Sequence, residues 1–388
     1  MYSTKCNLQT PAFLLDLNKL ERNIKNYHMM ATTGSKMLWP MIKTHKSTEI
    51  ARMQLKYGAT GFLCGTLDEC EIIFKNIVLG EKRDISIMYA YPVASGPNIL
   101  RVINLAKAHS LYYQRIDSYE QAALLNQAAA EAGIHVNYTV IINSGLNRFG
   151  VMPYELKTLL GKTLTLKHLK LCGISTHPGH VYSEIDGNGI AKVAQQESDI
   201  IKKTVATLTS MRITPQLVST GSTPTHPLVV NDTVINCLHP GNYVFMDNIQ
   251  IALGCAKEDD CALTILATVI SAPREGEFII DAGAKCLGLD KGAHGNGVIK
   301  GHGRIKGMRE GMSISALSEE VGKIIVAPTS CSGANLKIGD KLEIIPNHAC
   351  AAANNTSYYI AMRDGVYDRT IHVDMRGNSV APVFTGRF

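Results

Sequence analysis

Short apolar runs alternate with segments of helical apolar spacing at least seven times over about 230 residues. No other feature limits the folds open to this chain as strongly. Apolar runs at 12–15, 37–43, 61–64, 85–89, 111–113, 136–142, 169–175 and 216–218 read as strands. Between them, 17–27, 49–57, 67–74, 99–108, 118–132, 154–160 and 190–211 carry helical spacing, with Asp16 placed to cap the first helix and Gly58 and Gly133 to stop two others. Regular alternation of this size predicts an α/β chain, and a closed parallel (β/α)8 TIM-type barrel suits it better than an open sheet. In such barrels the working residues lie at the C-terminal ends of the strands.

After Gly254 the rhythm changes. Runs at 263–271, 277–281, 323–327 and 341–346 read as strands joined by Gly-, Pro- and Asp-rich turns. A length of 388 residues allows more than one domain. We therefore expect a barrel over 16–254 and a mostly β C-terminal domain over 255–388. Residues 283–307 are rich in Gly and Lys but lack Gly-Lys followed by Ser or Thr, so a Walker-type phosphate loop is excluded and a long exposed loop is expected.

Apolar content of 45% and charge of 19% describe an ordinary globular protein. The net charge of +6 is spread along the chain, which argues against nucleic acid but suits an anionic, phosphate-bearing ligand. One Trp and eight Phe provide no aromatic-basic stacking platform. No apolar run reaches the ~18 residues of a membrane span, and the first residues show no signal-peptide pattern. Ten scattered cysteines without a CxxC pair read as reduced thiols. The expected compartment is the cytoplasm.

Several loops carry chemistry. Trp39-Pro40-Met41-Ile42-Lys43-Thr44-His45-Lys46 brings an apolar run to a lysine, read as the last inward-facing residue of a strand. A lysine there can hold a carbonyl cofactor; the plainer reading is a strand cap pointing to water. Gly221-Ser222-Thr223-Pro224-Thr225 combines hydroxyls with backbone N–H groups late in the barrel, where phosphate sites recur; an ordinary Ser/Thr-rich turn is the other reading. His239-Pro240-Gly241-Asn242-Tyr243 can close the same cradle. Arg148, between two glycines, can reach an anionic oxygen or be an ordinary surface arginine. His177, in Thr176-His177-Pro178-Gly179-His180, can act in the site or be an ordinary loop histidine. His348 and Cys350, two apart in an expected extended segment, would point the same way and can bind one ion, with zinc suited to imidazole and thiolate; the plainer reading is a buried Cys beside a loop His.

Taken in order, these motifs resemble the D-threonine aldolase/D-serine dehydratase family of pyridoxal 5′-phosphate (PLP) enzymes, whose barrel is of the alanine racemase type, fold type III. The resemblance runs from Thr10-Pro11-Ala12 to about Gly377. It implies that Lys43 binds PLP and acts as a base; His177 stays a second catalytic candidate on the reading of its loop alone. It implies that Arg148 approaches the phenolic oxygen, and that Gly221, Ser222, Thr223, Gly241, Asn242 and Tyr243 hold the phosphate. His239 stands where the racemase fold often places an arginine on the ring nitrogen, and a neutral His would change the ring as an electron sink. Leu317-Ser318-Glu319-Glu320 matches a segment of the second domain, and His348 and Cys350 match the metal pair. The metal would be divalent, zinc first, with Mn²⁺ or Mg²⁺ as alternatives. The N-terminal segment, 1–15, would join the β domain, that domain would close over the barrel mouth, and the protein would be a homodimer acting on a small D-amino acid.

The implied reaction is lyase chemistry on a D-3-hydroxy amino acid. His-x-Cys resembles the dehydratase branch, which gives a 2-keto acid and ammonia; His-x-Asp resembles the aldolase branch, which gives glycine and an aldehyde. A racemase without a metal, or a PLP carrier without turnover, are the other readings. This chain departs from the family in having Trp39-Pro40-Met41 for Arg-Pro-His, Val321 for a His, Asn143 for an Asp, and unusual residues over 351–355. These departures lie in the shell that would face substrate.

Overall fold

The computed structural model describes residues 4–290, 297, 299–307, 311–327 and 336–376. These residues divide into two compact units. One comprises Tyr27–Val181, Ile190–Gly241 and the chain after Asp374; the other comprises the chain up to Asn26, Tyr182–Gly189 and Asn242–Asp374.

Strand β1 (Ala12–Asp16) belongs to the second of these units, while β2 (Met37–Leu38), β3 (Gly61–Cys64), β4 (Ser86–Tyr89), β5 (Tyr112–Ile116), β6 (Val136–Ile141), β7 (Leu169–Ser175), β8 (Leu217–Thr220) and β9 (Cys237–Leu238) form the first. The eight strands of the first unit run parallel in the order β2-β9-β8-β7-β6-β5-β4-β3. Leu63 N donates to Pro40 O at 3.0 Å and Met41 bridges Leu63, which joins β2 to β3 and nearly closes a TIM-like barrel. The expected barrel is therefore the observed fold.

Alternation along each strand separates two cores. On β5, Tyr112 packs with the surrounding helices beside Leu125 and Val102. Its neighbour Tyr113 packs against Trp39, with ring centroids 5.4 Å apart, inside the barrel with Leu63, Met88, Leu217 and Cys237. Trp39 is buried there and donates from Nε1 to Thr60 Oγ1 at 3.1 Å, which accounts for an indole at this position. Two expectations need correction. The strand expected over 37–43 ends at Leu38, and Lys43 lies in a 3-10 turn, Ile42–Thr44. The strand expected over 111–113 runs on to Ile116, through Gln114 and Arg115, because the polar pair hid its inward alternation.

In the second unit, β1 pairs antiparallel with β10 (Leu263–Arg274). The sheet continues through β11 (Glu277–Ile280), β12 (Arg304–Ile305), β13 (Met312–Leu317), β14 (Gly322–Val326), β15 (Lys341–Ile345), β16 (Tyr358–Arg363) and β17 (Val366–His372). β1 also pairs parallel with β16. Leu14 and Leu15 of β1 are almost wholly buried, each contributing roughly 1.5–3 kcal/mol by leaving water. The units part at Gly241, ahead of the boundary expected near 255. The reason is local: Asn248 N donates to Pro346 O at 3.1 Å and Ala262 N to Phe245 O at 2.7 Å, which ties 242–254 to the β strands. The N-terminal contribution likewise extends to Asn26 rather than 15. Part of the loop expected over 283–307 is structured, as a helix at Ala284–Leu287 and as β12; residues 291–296 and 298 lie outside the described residues, as do those after 376. Among the described residues no helix is long and apolar enough to cross a membrane.

Candidate active site

The turn carrying Lys43 is held from both sides by glycines. A Cβ on Gly65 would lie 2.9 Å from Lys43 Cβ, and one on Gly241 would lie 3.0 Å from Met41 O and 3.1 Å from Thr44 Oγ1. Both positions need glycine so that neighbouring loops can approach the turn. Ile42, Thr44 and His45 are buried while Lys43 is half-buried, so the turn is anchored and its amine remains accessible. Lys46 Nζ pairs with Glu69 Oε1 at 2.6 Å, and Glu69 Oε2 accepts from Gly65 N at 2.6 Å. Burial pushes the Glu69 carboxyl up, and the Lys46 charge opposes this. Lys46 is thereby compensated by a carboxylate that also fixes the glycine against Lys43.

Around the mouth of the barrel, His177 Nδ1 donates to Gly221 O at 2.7 Å. Burial, then the charges of Lys43, Arg148 and Arg115, lower its pKa to about 3, so the ring is neutral near pH 7. His239 Nδ1 donates to Trp39 O at 3.1 Å, and burial with the Arg115 charge lowers its pKa to about 3. Arg148 is exposed and lies over the Phe149 ring at 5.1 Å and the Tyr91 ring at 5.8 Å. Its loop is organised by Asn143, whose Oδ1 accepts from Gly145 N at 3.0 Å and Asn147 N at 3.2 Å. A carboxylate could accept these same two bonds, so Asn143 preserves the loop while removing a charge.

The glycine-hydroxyl loop is closely packed. A Cβ on Gly221 would stand 2.5 Å from His239 N. Ser222 Oγ and Thr225 Oγ1 lie 2.9 Å apart, and Thr225 N donates to Ser222 Oγ at 3.2 Å. Beneath the loop, Thr220 Oγ1 donates to the fully buried Glu197. Burial raises the Glu197 pKa to about 7, against the pull of Thr220 and Thr225. The folded state therefore holds this proton where the unfolded chain has released it, and stability from this group declines as pH rises from about 4.5 to about 7. Glu197→Gln should flatten that part of the stability–pH curve, measured by urea denaturation at pH 5 and pH 8. An unchanged slope would remove Glu197 as its source.

These residues fit PLP on observations of the molecule itself. Arg115 Nε and Nη2 and His239 Nε2 are buried without hydrogen-bond partners among the described residues, so the cradle has polar atoms to satisfy. Glycine backbone and hydroxyls suit a phosphate. Lys43, Arg148 and Arg115 place positive charge near His177. Lys43, Arg148, His177, Gly221, Ser222, Thr223, His239 and Gly241 all belong to the barrel unit. Arg115 and Glu197 escaped sequence reading. The signal for Arg115 was a charge two residues from Tyr113 on one strand face.

Asn242, Tyr243, His348 and Cys350 belong to the β unit. The Asn242 amide donates to Asp247 Oδ2 at 2.6 Å and approaches Cys350 Sγ at 3.9 Å, so its side chain is engaged beside Cys350; Tyr243 is fully buried. The extended segment expected at His348 and Cys350 is instead a helix start: His348 is the N-cap of Ala349–Ala353. The two side chains still meet, sharing a hydrogen bond. His348 Nδ1 also bonds Asp290 Oδ1 at 3.2 Å, which orients the ring. Burial lowers the His348 pKa, but Cys350, Asp290 and Asp247 outweigh it and raise it well above the usual value, a field that also favours a metal cation. One nitrogen and one sulfur donor fit a divalent ion with open positions; among the described residues no set of three His, Cys, Asp or Glu side chains forms a closed cage.

Comparison with known proteins identifies the family of the chain. The family described as "Alanine racemase, N-terminal domain" matches residues 15–249, and that described as "Putative serine dehydratase domain" matches 262–362. The D-threo-3-hydroxyaspartate dehydratase of Delftia sp. (strain HT23) is 27% identical over 93% of this chain and 96% of its own. The D-serine dehydratase of Dictyostelium discoideum is 29% identical over 92% of this chain and 94% of its own. The crystal structure of D-threonine aldolase from Filomicrobium marinum superposes with a TM-score of 0.85 at 25% identity, covering 98% of this chain and 99% of that one.

Proposed function

The chain belongs to the family of the alanine racemase N-terminal domain, and from that premise we propose that it is a PLP- and metal-dependent lyase converting a D-3-hydroxy amino acid, D-serine first, to a 2-keto acid and ammonia. The relatives include dehydratases and aldolases of D-amino acids, which supports a lyase of this class. The observation that carries the dehydratase reading is the contact between His348 and Cys350, a nitrogen–sulfur donor pair. A cysteine is a softer ligand than a carboxylate and selects zinc-like ions.

Bound PLP supplies an electron sink for the pair left at the α-carbon. A divalent ion on His348 and Cys350 supplies Lewis acidity to a hydroxyl leaving group. The remaining work falls to the chain. Lys43 Nζ would hold the cofactor and would take the α-proton. The glycine-braced turn limits where that amine can travel. His177, neutral and donating to Gly221 O, holds its ring still and leaves Nε2 as an acceptor. Arg148 provides charge for the phenolic oxygen, and the Gly221–Thr223 loop holds the phosphate. The enamine product then hydrolyses. We also propose a homodimer, which light scattering would test.

Product analysis tests the reading. PLP-loaded protein given D-serine should release keto acid and ammonia, and EDTA should stop it. Glycine and acetaldehyde from D-threonine, without keto acid from D-serine, would transfer the assignment to the aldolase branch. Inversion without cleavage would make it a racemase.

A further inference from the structure

Arg115 is a buried charge that the reaction above does not use. It is 4% exposed. Alternation along β5 puts it on the same face as Tyr113, which packs on Trp39 inside the barrel. In the eight-strand order β5 stands opposite β9, yet the Arg115 charge acts on Cys237 and His239 at β9. The Arg115 charge is thus felt across the barrel interior, from β5 to Cys237 and His239.

Its surroundings do not balance it. Nε and Nη2 have no hydrogen-bond partner among the described residues. The groups acting on it are Tyr91, Cys237 and Arg148, with no carboxylate among them. Burial lowers its pKa only to about 10, so it remains charged at neutral pH. Nearby buried charge is handled differently: Lys46 has Glu69. An uncompensated buried cation is costly unless something else neutralises it. His239 Nε2 is also unpartnered, and its neutral ring cannot supply a negative charge.

We propose that Arg115 is a cofactor-facing residue whose guanidinium donates to an acceptor atom on the ring of bound PLP. The proposal rests on the PLP reading above. Its consequence is an asymmetry: the cofactor-free protein carries an unbalanced charge, and the loaded protein does not. A filler arginine, or one satisfied by a water bridging to His239, would stabilise both forms alike.

The experiment compares wild type, Arg115→Met and Arg115→Lys, each with and without PLP. Thermal melting reports both forms, and fluorescence titration gives the PLP dissociation constant. Arg115→Met should melt higher than wild type when cofactor-free, bind PLP about tenfold more weakly or worse, and gain less from PLP. Arg115→Lys should retain part of the PLP affinity. A cofactor-free Arg115→Met that melts lower or fails to fold overturns the proposal. So does a PLP constant changed by less than about twofold. Wild type that takes up no PLP would instead overturn the PLP reading itself, which separates the two failures.

Discussion

Lys43→Ala should lower turnover by about 10⁴-fold and remove the visible absorbance of lysine-bound PLP. The amine serves two purposes, as covalent anchor and as proton carrier, so its loss removes both. The fold should survive. Lys43 is half-buried, and the turn is set by buried Ile42 and Thr44 and by the close approach of Gly65 and Gly241. The melting temperature should therefore move little. Added PLP should still bind through the phosphate loop and the barrel's cations, weakly and without the lysine-bound band. A small primary amine supplied in solution should restore part of the turnover, since it can take over the proton transfer. A variant retaining more than about a tenth of wild-type turnover would remove Lys43 from the chemistry, because base catalysis alone contributes about 10²-fold or more.

Cys350→Ala should lower dehydratase turnover by about 10³-fold, the several kcal/mol that a Lewis acid gives to a poor leaving group. Bound metal, measured by elemental analysis, should fall with it. The absorbance of lysine-bound PLP should remain, because Lys43 and the phosphate loop belong to the other compact unit. Alanine is a good helix residue and Cys350 lies in the first turn of Ala349–Ala353, so the local fold should tolerate the change. His348→Ala should match it. The double variant should be little worse than either single one, since two ligands of one ion act as a unit. Full turnover in Cys350→Ala would exclude a metal held there.

Much of this was legible in the sequence, for physical reasons that differ between its parts. The barrel could be read because parallel strands buried on both faces are continuous apolar runs, and helices between them keep their 3.6-residue period. Gly221-Ser222-Thr223 and Gly241 could be read because close backbone approach requires glycine. Arg115 was missed where Gln114-Arg115 broke the apolar run, and only pairing with β6 shows that the strand continues. Glu197 looked like one more polar residue on a long helix until the fold placed it under Thr220. The His348–Cys350 pair was found although its backbone is a helix start rather than an extended segment. The local conformation was set by the cap. The division at Gly241 could not be read from composition, because Asn248 and Phe245 reach backbone partners outside their own segment.

β1 sets a schedule on how this protein can be made. It leaves the ribosome long before its neighbours in the sheet, β10 and β16, and Leu14 is in register with Thr264 on one side and Ile360 on the other. At roughly 5–20 residues per second, synthesis keeps an apolar Phe13-Leu14-Leu15 segment without its sheet partners for tens of seconds. The eight barrel strands emerge in that interval and can pair among themselves. The barrel strands must therefore form while β1 waits, and factors that shield exposed apolar strands during translation would matter most for Phe13-Leu14-Leu15.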